Sequence, residues 1–296
     1  MPATKFKCKN GSQISIQQCL SSCPNGQRCM FLPTLRSVAE SLDRKLDKPS
    51  VTELISGTRE TYLKKTQPYA VDPMQQLYAV HGTAVHTIQE GHNEGNIIAE
   101  ERLADDITSG KFDLYGQIVN LSDNTLGDYK VTSSFKLMKA LGYYKVDVPT
   151  GEVYKTGLKK GQPKTRKEWR TDGVKYVLEW AIQLNYYRIL LEQADFKVKD
   201  MVIQALCRDY SLRMASERNI TRPLYLIKIN RISDRWIKLY MSAKAKRLQK
   251  AVKENHLPAR CSARERWHDR KCQSYCDVTE YCPYGRLVKR AAERAA

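Results

Sequence analysis

Residues 110–133, GKFDLYGQIVNLSDNTLGDYKVTS, decide how the chain is read. Two runs of strand-forming residues, KFDLYGQIVNL and TLGDYKVTS, flank Ser122-Asp123-Asn124, a turn signature, so two short paired strands are expected. Side chains alternate along a strand, which puts Asp128 and Lys130 on one face, and Asp113 on the partner strand can reach that face. Two converging carboxylates suit a hard divalent cation such as Mg²⁺ or Mn²⁺. A lysine beside them can hold or activate a water, and the set as a whole suits metal-assisted attack of water on a phosphodiester. The plain alternatives are a strand-end Asp128 paired with Lys130 and an Asp113 that caps a turn. A carboxylate among apolar strand residues is costly without a partner.

Outward from this stretch the pattern alternates between helical and extended. Residues 34–66 read mostly helical, with Ser50 as an N-cap, and Asp72, Pro73 and Gly91 bound a further helix. NIIAEERL (96–103) reads as a short strand. Residues 145–168 are rich in Lys, Gly and Pro and read as a basic loop. Residues 168–193, EWRTDGVKYVLEWAIQLNYYRILLEQ, read as one long amphipathic helix. FKVKDMVIQALCRD and RPLYLIKIN follow as strands, and 232–256 as a basic helix. An α/β core with a central mixed sheet flanked by helices is therefore expected.

Eight of the nine cysteines frame this core. Cys8, Cys19, Cys23 and Cys29 are spaced C-x10-C-x3-C-x5-C, and Cys261, Cys272, Cys276 and Cys282 repeat that spacing. Four nearby thiolates satisfy a tetrahedral Zn²⁺, one per quartet, and can close a small loop-rich module. An iron–sulfur cluster also takes four cysteines, and even-numbered cysteines admit disulfides. Cys207, in an apolar run, reads as a buried structural thiol. His268 could replace a sulfur, though four cysteines suffice. The expected organisation is a metal module over 1–31, a core over 32–256 with a basic excursion at 136–175, and a second metal module with a basic tail over 257–296.

The chain has 296 residues and a formal net charge of +18. Residues 136–175 carry a net +7 and residues 231–296 a net +10, so nearly all the surplus lies in two segments. Such an excess points to a polyanionic partner, above all nucleic acid, and less to a membrane surface. No apolar run reaches the roughly 18 residues of a membrane span, and the start lacks a secretory pattern, so a soluble cytoplasmic protein is expected.

These residues resemble the PD-(D/E)XK nuclease superfamily, in its RecB-type branch of CRISPR-associated and phage exonucleases. Gly110-Lys-Phe-Asp113 is similar to the branch's G-x-x-D strand and Asp128-Tyr129-Lys130 to its D-x-K. Gly82-Thr-Ala-Val-His86 resembles the upstream helical G-x-x-x-H, and Gln183-Leu-Asn-Tyr-Tyr187 the downstream Q-x-x-x-Y. The resemblance covers about residues 50–210 and implies a restriction-endonuclease-like core with Mg²⁺ or Mn²⁺ at the catalytic site. Asp113, Asp128 and His86 would be metal ligands and Lys130 would polarise the water. Gln183 and Tyr187 would support the site or touch DNA. Glu100 or Glu101 would supply a further acid, without the sequence saying which. Branch members that hold an iron–sulfur cluster use one N-terminal and three C-terminal cysteines. A full quartet at each end departs from that and favours two metal sites, with a mixed cluster still open.

The resemblance implies a metal-dependent DNA exonuclease of DNA processing, recombination or repair. It admits a phage-encoded protein and a helicase or single-strand annealing protein as partner. The competing readings are a non-catalytic nucleic-acid-binding or assembly protein with two zinc modules on a degenerate nuclease scaffold, and an iron–sulfur or redox sensor. His86 as a core histidine and Gln183 as a tie for a buried backbone group are the plain alternatives at those positions.

Overall fold

The computed structural model describes residues 3–42, 48–92, 96–119, 122–173 and 177–295. In chain order its elements begin with β1 (Lys5–Lys7), β2 (Gln13–Ser15), α1 (Ile16–Ser21), α2 (Leu32–Leu42), α3 (Val51–Ile55), α4 (Thr58–Thr66), β3 (Ala70–Val71) and α5 (Pro73–Glu90). Next come β4 (Ile98–Ala99), β5 (Arg102–Ala104), β6 (Ser109–Lys111), β7 (Leu114–Gly116), β8 (Thr125–Thr132), α6 (Ser134–Ala140), β9 (Tyr143–Val153) and β10 (Pro163–Thr171). The chain closes with α7 (Leu178–Gln193), β11 (Asp200–Cys207), α8 (Arg213–Ser216), β12 (Leu224–Lys228), α9 (Asp234–Lys253), α10 (Arg270–Ser274), a 3₁₀ turn at Thr279–Tyr281 and α11 (Pro283–Ala295).

The architecture is mixed α/β, and the chain divides into two compact units. The first comprises Met1–Asn93, Glu101–Lys111 and Ser233–Ala296; the second comprises Glu94–Glu100 and Phe112–Ile232. These units do not follow the expected boundaries at 31 and 256. Both cysteine-bearing ends belong to one unit, because strand pairing and core packing join them to the intervening helices.

In the first unit β1 pairs antiparallel with β2 and parallel with β3. Phe6, Ile14, Cys19, Leu35, Val38 and Val71 form a common buried cluster, so the first 31 residues have no core separate from α2 and β3. Two helices start where the sequence signals them. Ser50 closes a reciprocal capping box with Glu53 at α3, and Asp72 caps α5 with Pro73 in its first turn. On α9 a buried stripe of Ile237, Met241, Lys244, Ala245, Leu248 and Ala251 lies against α3 and α4, following helical periodicity. The buried Lys244 ammonium donates to the Ser56 carbonyl and pairs with Glu265.

The second unit is built on a five-stranded sheet ordered β12-β11-β8-β7-β4. Only β8 and β11 run parallel; the other neighbours are antiparallel. A parallel pair needs a crossover, and α6, the β9–β10 hairpin and α7 supply it. Eleven of the sixteen residues of α7 are buried, including Trp180, Tyr186 and Tyr187, so it is a core helix and not the amphipathic one expected. Inside it, Asn185 donates to the Ala181 and Asn230 carbonyls and accepts from the Ile232 N–H.

Two further expectations are corrected. The basic excursion is not a loop: β9 and β10 form an antiparallel hairpin, paired from Tyr143↔Thr171 to Val153↔Pro163. Pro149 fits there because each strand of a two-stranded sheet keeps one unpaired edge. Residues 168–171 end β10, and the helix begins only at Leu178. The helical reading of 43–47, the strand end at 120–121 and the helical reading of 174–176 lie outside the described residues. Among the described residues no helix is long and apolar enough to cross a membrane.

Candidate functional site

In the second unit β7 and β8 bring the carboxylates together. Leu114 lies opposite Gly127, and extending that register by one residue sets Asp113 opposite Asp128, with both side chains on one face. Asp113 itself sits in a bend just before β7, not within a strand as expected. Both aspartates are buried. Asp113 Oδ2 accepts the Tyr129 N–H at 2.7 Å, which fixes its carboxylate across the strand pair. Lys130, two residues from Asp128 on the same face, places Nζ 2.5 Å from Asp128 Oδ2. Among the described residues neither buried Asp128 oxygen has a hydrogen-bond partner beyond that ion pair.

Glu100 completes the cluster. Its backbone N–H donates to the Asp113 carbonyl at 2.9 Å, and a carboxylate oxygen lies within 4.8 Å of one of Asp113. Its φ of +55° turns the chain at the end of β4 and aims the side chain inward, whereas Glu101 is exposed and belongs to the first unit. The structure thus separates two acids that the sequence left equivalent.

The electrostatics follow from this crowding. Burial pushes the Asp113 carboxyl up to about 8, and the Asp128 charge adds to the rise; Lys130 and the Tyr129 N–H oppose it, while Glu100 adds a little more. Such an excess of buried negative charge is what a divalent cation relieves, and hard oxygen donors suit Mg²⁺ or Mn²⁺. Gln183 and Tyr187 lie one turn apart on α7, with Gln183 Nε2 donating to Tyr187 Oη at 3.1 Å, and α7 packs on β8. His86 lies half-buried on α5 in the first unit.

The cysteines form two neighbouring groups within the first unit. Cys19 is buried, and burial pushes its thiol up, helped by Cys29, Cys23 and Cys8 in that order, so the four thiols share one neighbourhood. Cys261, Cys272, Cys276 and Cys282 line one cavity with Arg59 and Glu60. Burial raises the Cys272 thiol, with Cys282, Asp269 and Cys261 adding to it, and burial pushes Cys276 up to about 11. Gly57 exists to admit Cys261: a Cβ there would lie 2.4 Å from the Cys261 sulfur. Cys8 and Cys29 also line a cavity with Tyr275, Cys276 and Asp277, and Gln13 bonds Glu280 at 3.2 Å, so the two quartets adjoin.

Among the described residues no three cysteine sulfurs converge within 4.8 Å, so a closed four-sulfur metal module is not shown. The donor set still fits a soft cation, since each group gathers four thiols, the ligand type such a cation prefers. Cys207 is a buried thiol donating to Asp209, as its apolar run suggests, and lies apart from both quartets in the second unit. His268 adopts a left-handed backbone beside the second quartet. No family model, no curated protein and no solved structure matches this chain.

Proposed function

We propose that the protein is a metal-dependent DNA nuclease of the PD-(D/E)XK type, with Asp113, Asp128, Glu100 and Lys130 as its catalytic set. The observation that carries this reading is the pair of buried, directly opposed aspartates with a lysine two residues along the same strand face. A structural ion pair would need one acid for Lys130, not three. The order of elements supports the reading as well: a helix, three antiparallel strands (β4, β7, β8), a crossover that includes α7, and a strand parallel to β8.

Asp113, Asp128 and Glu100 would hold Mg²⁺ or Mn²⁺, which supplies charge stabilisation to the phosphodiester under attack. The Lys130 side chain is 20% exposed and tethered to Asp128, so its Nζ can hold the attacking water and face the growing negative charge. The Tyr129 N–H keeps the Asp113 carboxylate aimed at the site. On the resemblance, His86 adds a ligand or a substrate contact, and the Gln183–Tyr187 pair supports the β8 face. Zn²⁺ or an iron–sulfur cluster at the cysteines would play a structural part, bracing the first unit.

Linear and circular DNA incubated with Mn²⁺ or Mg²⁺ test the proposal. Wild-type protein is expected to degrade the linear form, and Lys130→Ala to cut the rate by about 100-fold or more. Loss of both forms makes the enzyme an endonuclease with the same residues. A Lys130→Ala protein as active as wild type refutes the assignment. A wild-type protein that shifts DNA with no cleavage in either metal is a binding module.

A further inference from the structure

The β9–β10 hairpin takes no part in this chemistry. Among the described residues its two strands pair only with each other. At about 3.4 Å per residue its eleven-residue first strand extends about 37 Å. Its base is held by Thr171 donating to the Leu141 carbonyl at 2.9 Å and by an edge-on contact of Tyr143 with Trp169. Beyond the base most side chains are exposed, to the tip at Leu158. An isolated hairpin of this kind is marginal in water, so its ordering gains from a partner.

Its charge selects the partner. Residues 143–171 hold eight basic and three acidic residues, a net +5. Two of the acids, Glu152 and Glu168, are already paired with Lys164 and with Arg166. Register puts Tyr144, Val146 and Val148 opposite Arg170, Glu168 and Arg166 on one face, and Lys145 and Asp147 opposite Trp169 and Lys167 on the other. Neither face is apolar, which disfavours a lipid surface or a buried protein interface. Of its rings Trp169 and Tyr154 are not open platforms for unpaired bases, since Lys145 lies 4.7 Å over Trp169 and Lys159 and Lys164 lie 5.8 and 6.0 Å from the Tyr154 ring, whereas Tyr144 is exposed.

We propose that the hairpin is a duplex-binding arm that seats in the major groove of double-stranded DNA, with its lysines and arginines reaching the phosphates on either side. That groove is about 12 Å wide and admits a two-stranded ribbon. A ribbon with cations on both faces and at the tip matches a cleft walled by phosphate on both sides. The inference rests on the DNA reading above and makes duplex its substrate class.

The test compares wild type with a variant carrying Lys159→Gln, Lys160→Gln, Arg166→Gln and Lys167→Gln. Binding to a duplex of about two helical turns, and to one of its strands, is followed by fluorescence anisotropy in EDTA across a salt series. Duplex affinity is expected to fall by about tenfold or more, with the slope of log K against log salt shallower by roughly 2 to 4. Single-strand affinity is expected to change less than about threefold, and Mn²⁺-dependent digestion of single-stranded DNA to persist. A second variant joins Asp147 to Lys167 through Asn-Gly, a favoured hairpin turn, and should behave likewise. Equal losses on duplex and single strand, or no loss on duplex, overturn the arm. A wild-type protein that binds duplex through the arm yet digests nothing upholds the arm and removes the nuclease reading. Failure of the wild type to bind duplex overturns the arm outright.

Discussion

At Asp113 a carboxylate is buried beside those of Asp128 and Glu100, with the Lys130 ammonium to offset them. That arrangement costs stability, and on the proposed reading a bound cation would repay it. Asp113→Asn keeps an acceptor for the Tyr129 N–H and removes the charge. In EDTA the variant is expected to be more stable than wild type by more than about 1 kcal/mol, and so to melt higher. Mn²⁺ should then raise the melting temperature of wild type and leave the variant unmoved. A metal-free variant that melts lower would mean that the Asp113 charge is stabilising, and would remove the cation-site argument. Asp128 and Lys130 were legible because strand alternation converts their spacing into a shared face, whereas Asp113 reaches that face from a bend just before β7. Glu100 was not, since a positive φ at the end of β4 breaks the alternation that would have told it from Glu101. The cysteine quartets were legible as spacing, whereas their adjacency depends on long-range packing that no local pattern encodes.

The same strand pair depends on one glycine. Gly116, at the end of β7, has a φ of +143°, and a Cβ there would lie 2.4 Å from the Asn96 carbonyl oxygen. The obstacle is backbone, so a larger residue cannot be accommodated by a side-chain rotation. Gly116→Ala is expected to destabilise the protein by about 2 kcal/mol or more in urea denaturation and, on the proposed nuclease reading, to lower DNA digestion in step because Asp113 lies three residues away. A variant with wild-type stability would show that β4 and β7 can separate at no cost. The starts of α3 and α5 and the strands of the central sheet were legible, because caps and β-branched runs act locally. The hairpin was not: Pro149, Gly151, Gly157 and Gly161 read as loop, yet a two-stranded ribbon tolerates proline at its open edges and takes glycines with positive φ at 151, 157 and 161. Helix α7 was read as amphipathic, but its polar Asn185 and Arg188 are buried with backbone and Glu192 partners.

Over the whole chain, sequence order and spatial order part company: residues 233–296 belong with residues 1–93 and not with the segment that precedes them. Charge shows one reason. Glu60 on α4 is buried and receives Lys64 at 3.2 Å and Lys271 at 2.5 Å, while Lys64 also reaches Asp277 at 3.2 Å. Opposite charges far apart in sequence thus tie the C-terminal cysteine segment to a helix near the N-terminus, and single residues of this kind carry no signal in a composition or a period. Burial works to raise the Glu60 carboxyl, but the Lys64 and Lys271 ammoniums overcome it and hold the group below its ordinary value of 4.5. A depressed carboxyl binds its proton more weakly in the folded than in the unfolded chain. Its stabilisation is therefore full above about pH 4.5 and is lost as the pH falls through the lower folded value. Glu60→Gln removes the charge and leaves two buried or half-buried ammoniums without it, which should cost about 3 kcal/mol at pH 7. Urea denaturation of both proteins from pH 7 to pH 3 measures the difference: it should hold constant down to about pH 4.5 and close below it. A gap that stays the same at pH 3 would assign the loss to packing and free the C-terminal segment from this electrostatic tie.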